Sequence, residues 1–222
     1  MTTKINVIIT GATGMVGEGA LHECLQHESI ESVLVIGRKS CAVTHPKLKE
    51  IIHADFFDLS TIAENFKGYN ACFFCLGVSS LGMNEMNYKK LTHTLTMHFA
   101  ATLLQQNPGS SFCYISGAAT DSTEKGKLMW ARVKGKTEND LMKMNFKQAF
   151  NFRPAFIVPT KGLKNTLRLY KIFGWLIPVI ELFSKKYICT LKELATAMIN
   201  AVTIGYEKQV LEVTDIVTLS KR

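Results

Sequence analysis

A chain of 222 residues, 47% hydrophobic and 20% charged, has the balance of an ordinary folded domain with one well-buried core. Its formal charge of +8 comes without a nucleic-acid motif, so a DNA or RNA partner is not expected. No stretch of about 18 uncharged apolar residues suggests a membrane span, and no signal-peptide pattern opens the chain, so the expectation is a cytoplasmic protein with reduced thiols.

The first element is a strand over 4–10. It runs into Gly11-Ala12-Thr13-Gly14-Met15-Val16-Gly17, which opens a helix over 15–27. A dinucleotide-binding βα unit needs that order. Gly11 turns the chain sharply, Gly14 lets backbone approach a pyrophosphate, and Gly17 lets the helix pack close to the strand. The helix N-terminus then offers free amides to the phosphates. A second strand over 32–36 ends in Gly37-Arg38-Lys39. An NAD site is expected to place an acid there for the ribose hydroxyl. Two cations instead suit a 2′-phosphate, so NADP(H) is favoured over NAD(H).

A third strand over 49–53 leads to Asp55 and Phe56, an acid and an aromatic placed to meet an adenine. The plainer alternative is a capping Asp58 and a core Phe57. After a short helix over 61–67, a fourth strand over 70–76 ends in Cys75-Leu76-Gly77, where glycine again permits close approach to a cofactor. Cys72 and Cys75 have C-x-x-C spacing but sit inside the strand pattern, which favours a packing role over redox. A helix over 84–106 carries His93 and His98 on different faces, and no metal site is expected.

The fifth strand, 110–116, ends at Ser116, and the helix over 126–144 carries Trp130 and Lys134. A sixth strand over 148–153 is followed by Pro154, Ala155 and Phe156. Helices over 163–173 and 190–203, the latter with a Thr190-x-x-Glu193 capping box, precede a last strand over 209–214. Between Lys161 and Lys192, seven cations face one acid, giving +6. This segment, 160–190, is expected to form a substrate lid or an oligomer face, with a basic membrane-surface helix as the alternative. The alternation argues a single doubly wound, mostly parallel α/β sheet of six or seven strands with helices on both faces. Ligands then sit at the carboxyl ends of the strands.

These motifs together resemble the atypical branch of the short-chain dehydrogenase/reductase superfamily. Within it the chain is most similar to the Tat-interacting-protein oxidoreductases and their bacterial epimerase-like relatives. The resemblance spans essentially the whole chain. It implies one NAD(P)-binding Rossmann domain over 1–222, a catalytic serine at Ser116, and a Tyr-x-x-x-Lys pair on the next helix. Lys134 matches the lysine and would hold the nicotinamide ribose. Pro154, Ala155 and Phe156 match the segment flanking the nicotinamide. Trp130 stands where the tyrosine belongs, and no tyrosine occurs from 115 to 169. An indole donates a hydrogen bond but does not titrate usefully. Two readings follow: an oxidoreductase or epimerase-like enzyme acting on a small molecule with a modified acid, or a non-catalytic NADP(H)-binding module that reports redox state to a protein partner, as NmrA-like regulators are thought to do.

Overall fold

In a computed structural model that describes residues 4–165 and 185–222, seven parallel strands form one sheet. They are β1 (Ile5–Thr10), β2 (Ile30–Gly37), β3 (Leu48–Ile52), β4 (Ala71–Phe74), β5 (Ser111–Ile115), β6 (Gln148–Arg153) and β9 (Val210–Glu212). Their order across the sheet is β3-β2-β1-β4-β5-β6-β9. The chain runs outward from β1 on one side, then crosses back to add β4 on the other, so the switch point lies between β1 and β4. Two short strands, β7 (Phe156–Val158) and β8 (Ile188–Thr190), pair separately in parallel.

Among the described residues the α-helices are α1 (Met15–Gln26), α2 (Glu85–Lys89), α3 (Leu95–Gln106), α4 (Met129–Lys143), α5 (Leu191–Thr203) and α6 (Val213–Leu219). The central strands are buried on both faces and read as continuous apolar runs. One core layer joins the sheet to α1, α5 and α6 through Leu21, Cys24, Leu194, Met198 and Ile216. The opposite layer joins it to α3 and α4 through Phe74, Phe99, Phe112, Tyr114 and Leu141. Gly19 of α1 lies directly against the Leu191 side chain of α5. That contact joins the first helix to the C-terminal part of the fold.

Most predicted elements appear within a few residues of their expected ends. The helix expected over 84–106 is interrupted by a π-helical turn, Lys90–Thr94, between α2 and α3. The strand expected over 209–214 stops at Glu212, where a capping box with Asp215 starts α6. The Thr190–Glu193 capping box forms as expected. Part of the 163–173 helix and of the 160–190 segment falls on 166–184, outside the described residues. Phe57, expected in the core if its acid-aromatic edge had no ligand role, is partly exposed. Phe56 is the buried neighbour, stacked near Phe99 with ring centroids 6.2 Å apart. Among the described residues no helix is long and apolar enough to cross a membrane.

Helix α4 is held against the loop after β5 at a backbone contact. A Cβ on Gly135 would stand 1.8 Å from the Asp121 carbonyl oxygen. Helix propensity alone would make Gly135→Ala stabilising by about 1 kcal/mol. The clash reverses that sign, and an overpacking loss of about 1–3 kcal/mol is expected. Urea unfolding measures it, and an unchanged or raised midpoint would show that the loop yields freely.

Candidate functional site

The β1–α1 junction is built at the limit of backbone approach. Gly11 has φ +71°, and a Cβ there would meet the Cys75 carbonyl oxygen at 2.6 Å. A Cβ on Gly17 would meet the Gly11 carbonyl oxygen at 2.2 Å. The turn after β1 is therefore wedged between the end of β4 and the first turn of α1. Gly14 is the N-cap of α1, and no side chain caps it. The first amides of the helix are thus open to an anion. Thr13 and Gly14 are exposed, while Ala12 and Met15 are buried and Val16 packs on the core from a half-buried position.

This turn forms one wall of a cleft of about 410 Å³ lined by Gly11, Ala12, Thr13, Val35, Gly37, Arg38, Lys39 and Leu76. Arg38 and Lys39 are exposed at the end of β2, and neither forms an ion pair or side-chain hydrogen bond among the described residues. An adjoining recess of about 160 Å³ shares Arg38 and Leu76 and is also lined by Asp55, Phe56, Phe57, Gly77 and Val78. Asp55 accepts a hydrogen bond from the Phe57 amide at 2.8 Å, which fixes the turn at the end of β3. Lys90 lies over the exposed Phe57 ring, 5.4 Å from its centroid. Of the sequence-predicted residues at the ends of β1 to β4, Gly11, Ala12, Thr13, Arg38, Lys39, Asp55, Phe56, Leu76 and Gly77 line these two adjoining recesses, whereas Gly14, Met15, Val16, Gly17 and Cys75 do not.

At the ends of β5 and β6 the geometry is tighter. Ser116 is buried, and both its amide and its Oγ donate to the Phe152 carbonyl, at 2.9 and 3.1 Å. Lys134 Nζ donates to the Ser116 carbonyl. The structure therefore joins Ser116 and Lys134 through the serine main chain, with the hydroxyl turned to β6. Desolvation pulls the Lys134 ammonium down to about 8, opposed by the charge of Glu138 one turn later. Trp130, one turn earlier on α4, is half-buried and belongs to neither core cluster. The chain after β6 is fixed where the Ala118 amide donates to the Pro154 carbonyl at 2.9 Å. Ala155 packs on the core and Phe156 is exposed.

Sequence reasoning missed an ion pair beneath this site. Glu138 is fully buried and takes both Nε and Nη2 of Arg153, at 3.0 and 2.5 Å. Arg153 also reaches Ser122 Oγ at 2.5 Å and Glu212 at 3.2 Å. The i, i+4 spacing of Lys134 and Glu138 was the available signal, since it places both on one helix face. Glu18 was missed as well. Its carboxylate accepts the amides of Lys164 at 2.8 Å and Asn165 at 2.7 Å. No local pattern reveals a partner 146 residues away. Burial pushes the thiols of Cys24, Cys72 and Cys113 well up and that of Cys75 to about 12, which makes them poor nucleophiles.

A family model described as the NAD dependent epimerase/dehydratase family matches residues 7–120. Among curated proteins, the mitochondrial protein FMP52 of Chaetomium globosum is 27% identical over 157 residues, covering 68% of this chain and 65% of that protein. The chain thus spans just under two thirds of that relative's length. Among solved structures, a UDP-glucose 4-epimerase superposes with a TM-score of 0.70 at 15% identity, covering 96% of this chain and 80% of that one. The Bordetella bronchiseptica enzyme WbmF, solved with NAD+, gives 0.67 at 13% identity, covering 99% and 78%. Both establish the Rossmann-type fold. The expected cytoplasmic placement is corrected by the fungal relatives, which carry mitochondrial names.

The lowered Lys134 value fixes the sign of a pH effect. A free lysine holds its proton up to 10.5, whereas the folded chain releases it near 8. Between those values the unfolded state binds more protons, so stability should rise with pH. Below pH 8 the buried charge opposes folding by a constant amount. The unfolding free energy of wild type minus that of Lys134→Met is expected to climb from pH 8 to 10.5. A difference flat across that window would show that the ammonium is not desolvated.

Proposed function

The chain belongs to the NAD dependent epimerase/dehydratase family, and on that premise we propose that it binds NADP(H) and acts as an oxidoreductase or epimerase-like enzyme on a small molecule. The observation that carries the cofactor choice is the pair Arg38 and Lys39, exposed and unpaired beside the glycine turn. The cleft suits a dinucleotide on its own features. Gly11 and Gly17 leave room for backbone but not for a Cβ, and the first turn of α1 has no side-chain cap. A guanidinium and an ammonium at the β2 edge favour a phosphate over a bare ribose hydroxyl.

Bound NADP(H) would supply a hydride donor or acceptor. The chain's own residues divide the remaining work. Gly11–Gly17 and the amides of α1 would hold the pyrophosphate. Arg38 and Lys39 would hold the 2′-phosphate, and Asp55, Phe56 and Gly77 would border the adenosine. Lys134, still charged at neutral pH with its value near 8, would donate to ribose hydroxyls. Pro154, Ala155 and Phe156 would flank the nicotinamide. Trp130 would line the substrate cleft in the place of the superfamily's tyrosine and cannot itself deliver a proton. Ser116, a water or the substrate must then supply it.

A second reading is favoured by one specific contact. The Ser116 hydroxyl donates to the Phe152 carbonyl of β6, while Lys134 bonds the Ser116 carbonyl and not its hydroxyl. A redox-reporting NADP(H) module fits that arrangement. Substrate-dependent oxidation of NADPH separates the two, because a module shows none and instead changes its affinity for a partner with cofactor state.

Isothermal titration should show NADPH binding more tightly than NADH. Arg38→Asp should cost about ten- to a hundredfold in NADPH affinity, the worth of one charge-assisted contact. Equal affinity for both cofactors would sink the assignment. Lys134→Ala should weaken cofactor binding, whereas Trp130→Tyr should leave it nearly unchanged and restore a titratable phenol beside Lys134. Loss of NADPH affinity in Trp130→Tyr would place the indole in a packing role.

A further inference from the structure

Four charges form a connected series beneath the ends of β5 and β6. Lys134 donates from α4 to the Ser116 carbonyl. Glu138 follows it by four residues on the same helix face and is fully buried. Arg153, at the end of β6, gives Glu138 both Nε and Nη2, at 3.0 and 2.5 Å. Its Nη1 donates to Glu212 at 3.2 Å, and Glu212 is half-exposed. Cation and anion thus alternate from a desolvated ammonium out to solvent.

The sharing of Arg153 decides how much negative charge Lys134 meets. A guanidinium facing one carboxylate alone would cancel it. Arg153 is divided between Glu138 and Glu212, so Glu138 keeps charge that acts on Lys134. That charge opposes the desolvation of the ammonium. The other charged groups of the elements around α4 are engaged elsewhere. Glu85 holds Arg132, His93 holds Asp140, Glu124 accepts from Asn139, and Asp121 accepts the amides of Thr123 and Gly126. Lys89 and Lys136 open on a separate recess that Lys134 does not line, and His98 of α3 acts on Asp58. The phenols of Tyr88 and Tyr114 are pushed up by burial and stay neutral where Lys134 titrates. An ion pair kept for stability alone could give way to apolar side chains without loss. One kept for its effect on Lys134 could not.

We propose that Glu138 is a positioning residue: its buried carboxylate keeps Lys134 in the charged, donating form at the end of β5, and Arg153, divided between Glu138 and Glu212, sets how much of that charge Lys134 meets. The proposal rests on reading Lys134 as the group that holds the nicotinamide ribose. An ammonium has three donors. One goes to the Ser116 carbonyl, and two remain for ribose hydroxyls. A neutral amine has two N–H groups, so only one remains, and it lacks charge assistance. Glu138 thereby sets the pH up to which the cofactor is gripped, although it touches neither cofactor nor substrate.

The test follows the Lys134 ammonium itself. In full-length protein labelled with carbon-13 at lysine Cε, the Lys134 resonance is identified by its loss in Lys134→Met and titrated by NMR from about pH 5 to about pH 11. NADPH affinity is measured by fluorescence from about pH 6.5 upwards. In wild type the resonance should turn near pH 8, and NADPH affinity should fall about tenfold across the same interval. Glu138→Gln keeps an oxygen for Arg153. It should lower the midpoint by about one to three pH units and carry the affinity limb down with it. Glu138→Asp keeps the charge and should bring both back toward wild type. Glu212→Gln, at a half-exposed site that disturbs no core packing, should lower both by less, because Arg153 then bears on Glu138 alone. A midpoint unmoved in folded Glu138→Gln and Glu212→Gln overturns the proposal. So does an affinity that drops equally at every pH, which is what a merely structural role would give. Protein that takes up no NADPH at any pH refutes the cofactor reading instead, and a midpoint that still moves then keeps Glu138 as the group that governs the charge of Lys134.

Discussion

Backbone meets backbone at two points around Gly11, and the position of the whole cleft depends on them. The turn after β1 passes the end of β4 so closely that only hydrogen fits at Gly11, and α1 leaves that turn so closely that only hydrogen fits at Gly17. These contacts fix the direction of α1 relative to β1 and β4, the two strands flanking the switch point. The uncapped first turn of α1 is thereby aimed along the crevice at the strand ends. Arg38, Lys39 and Leu76 line the same crevice because β2 and β4 are the neighbours of β1.

The ends of β5 and β6 are held differently. Side chains, not glycines, set their geometry. Lys134 is drawn to the end of β5 through the Ser116 carbonyl, and the charge of Glu138 offsets part of what desolvation costs the ammonium. Glu138 is itself neutralised by Arg153 from the end of β6. One helix face is thereby locked to two adjacent strands by an alternating series of charges, buried at its centre and solvated at Glu212. Removing one member leaves a buried charge unmatched, which is far more damaging than removing a matched pair. Such a series gives rigidity to the part of the site where a reacting centre would sit.

What could be read from the residues was whatever is local in sequence. The glycine turn, the cations after β2, the Thr190 capping box and the four-residue spacing of Trp130 and Lys134 each depend on neighbours a few positions apart. The α/β alternation gave the sheet and both its faces for the same reason. The β7–β8 pair was invisible because three-residue strands carry no periodic signal and their partners lie about thirty residues apart. The end of β9 was misjudged because Val213 and Ile216 are apolar in either conformation, and only the Glu212–Asp215 box decides for helix. Phe56 and Phe57 were equivalent by composition, and which ring enters the core is settled by packing against Phe99. The Glu138–Arg153 pair and the Glu18 contacts depend on tertiary geometry, so only the folded chain reveals them.

The contact between Gly19 and Leu191, with Glu18 holding the amides of Lys164 and Asn165, bears on how the protein is made. Helix α1 is synthesised well before α5, yet one of its faces is covered by that helix and by the chain at Lys164 and Asn165. A nascent chain that has not reached α5 carries helix α1 with an apolar face exposed. The glycine turn is therefore braced from that side only once α5 has been made, not early in translation. Protein quality control would meet, throughout elongation, a Rossmann half whose most recognisable motif is present in sequence but not yet secured in space.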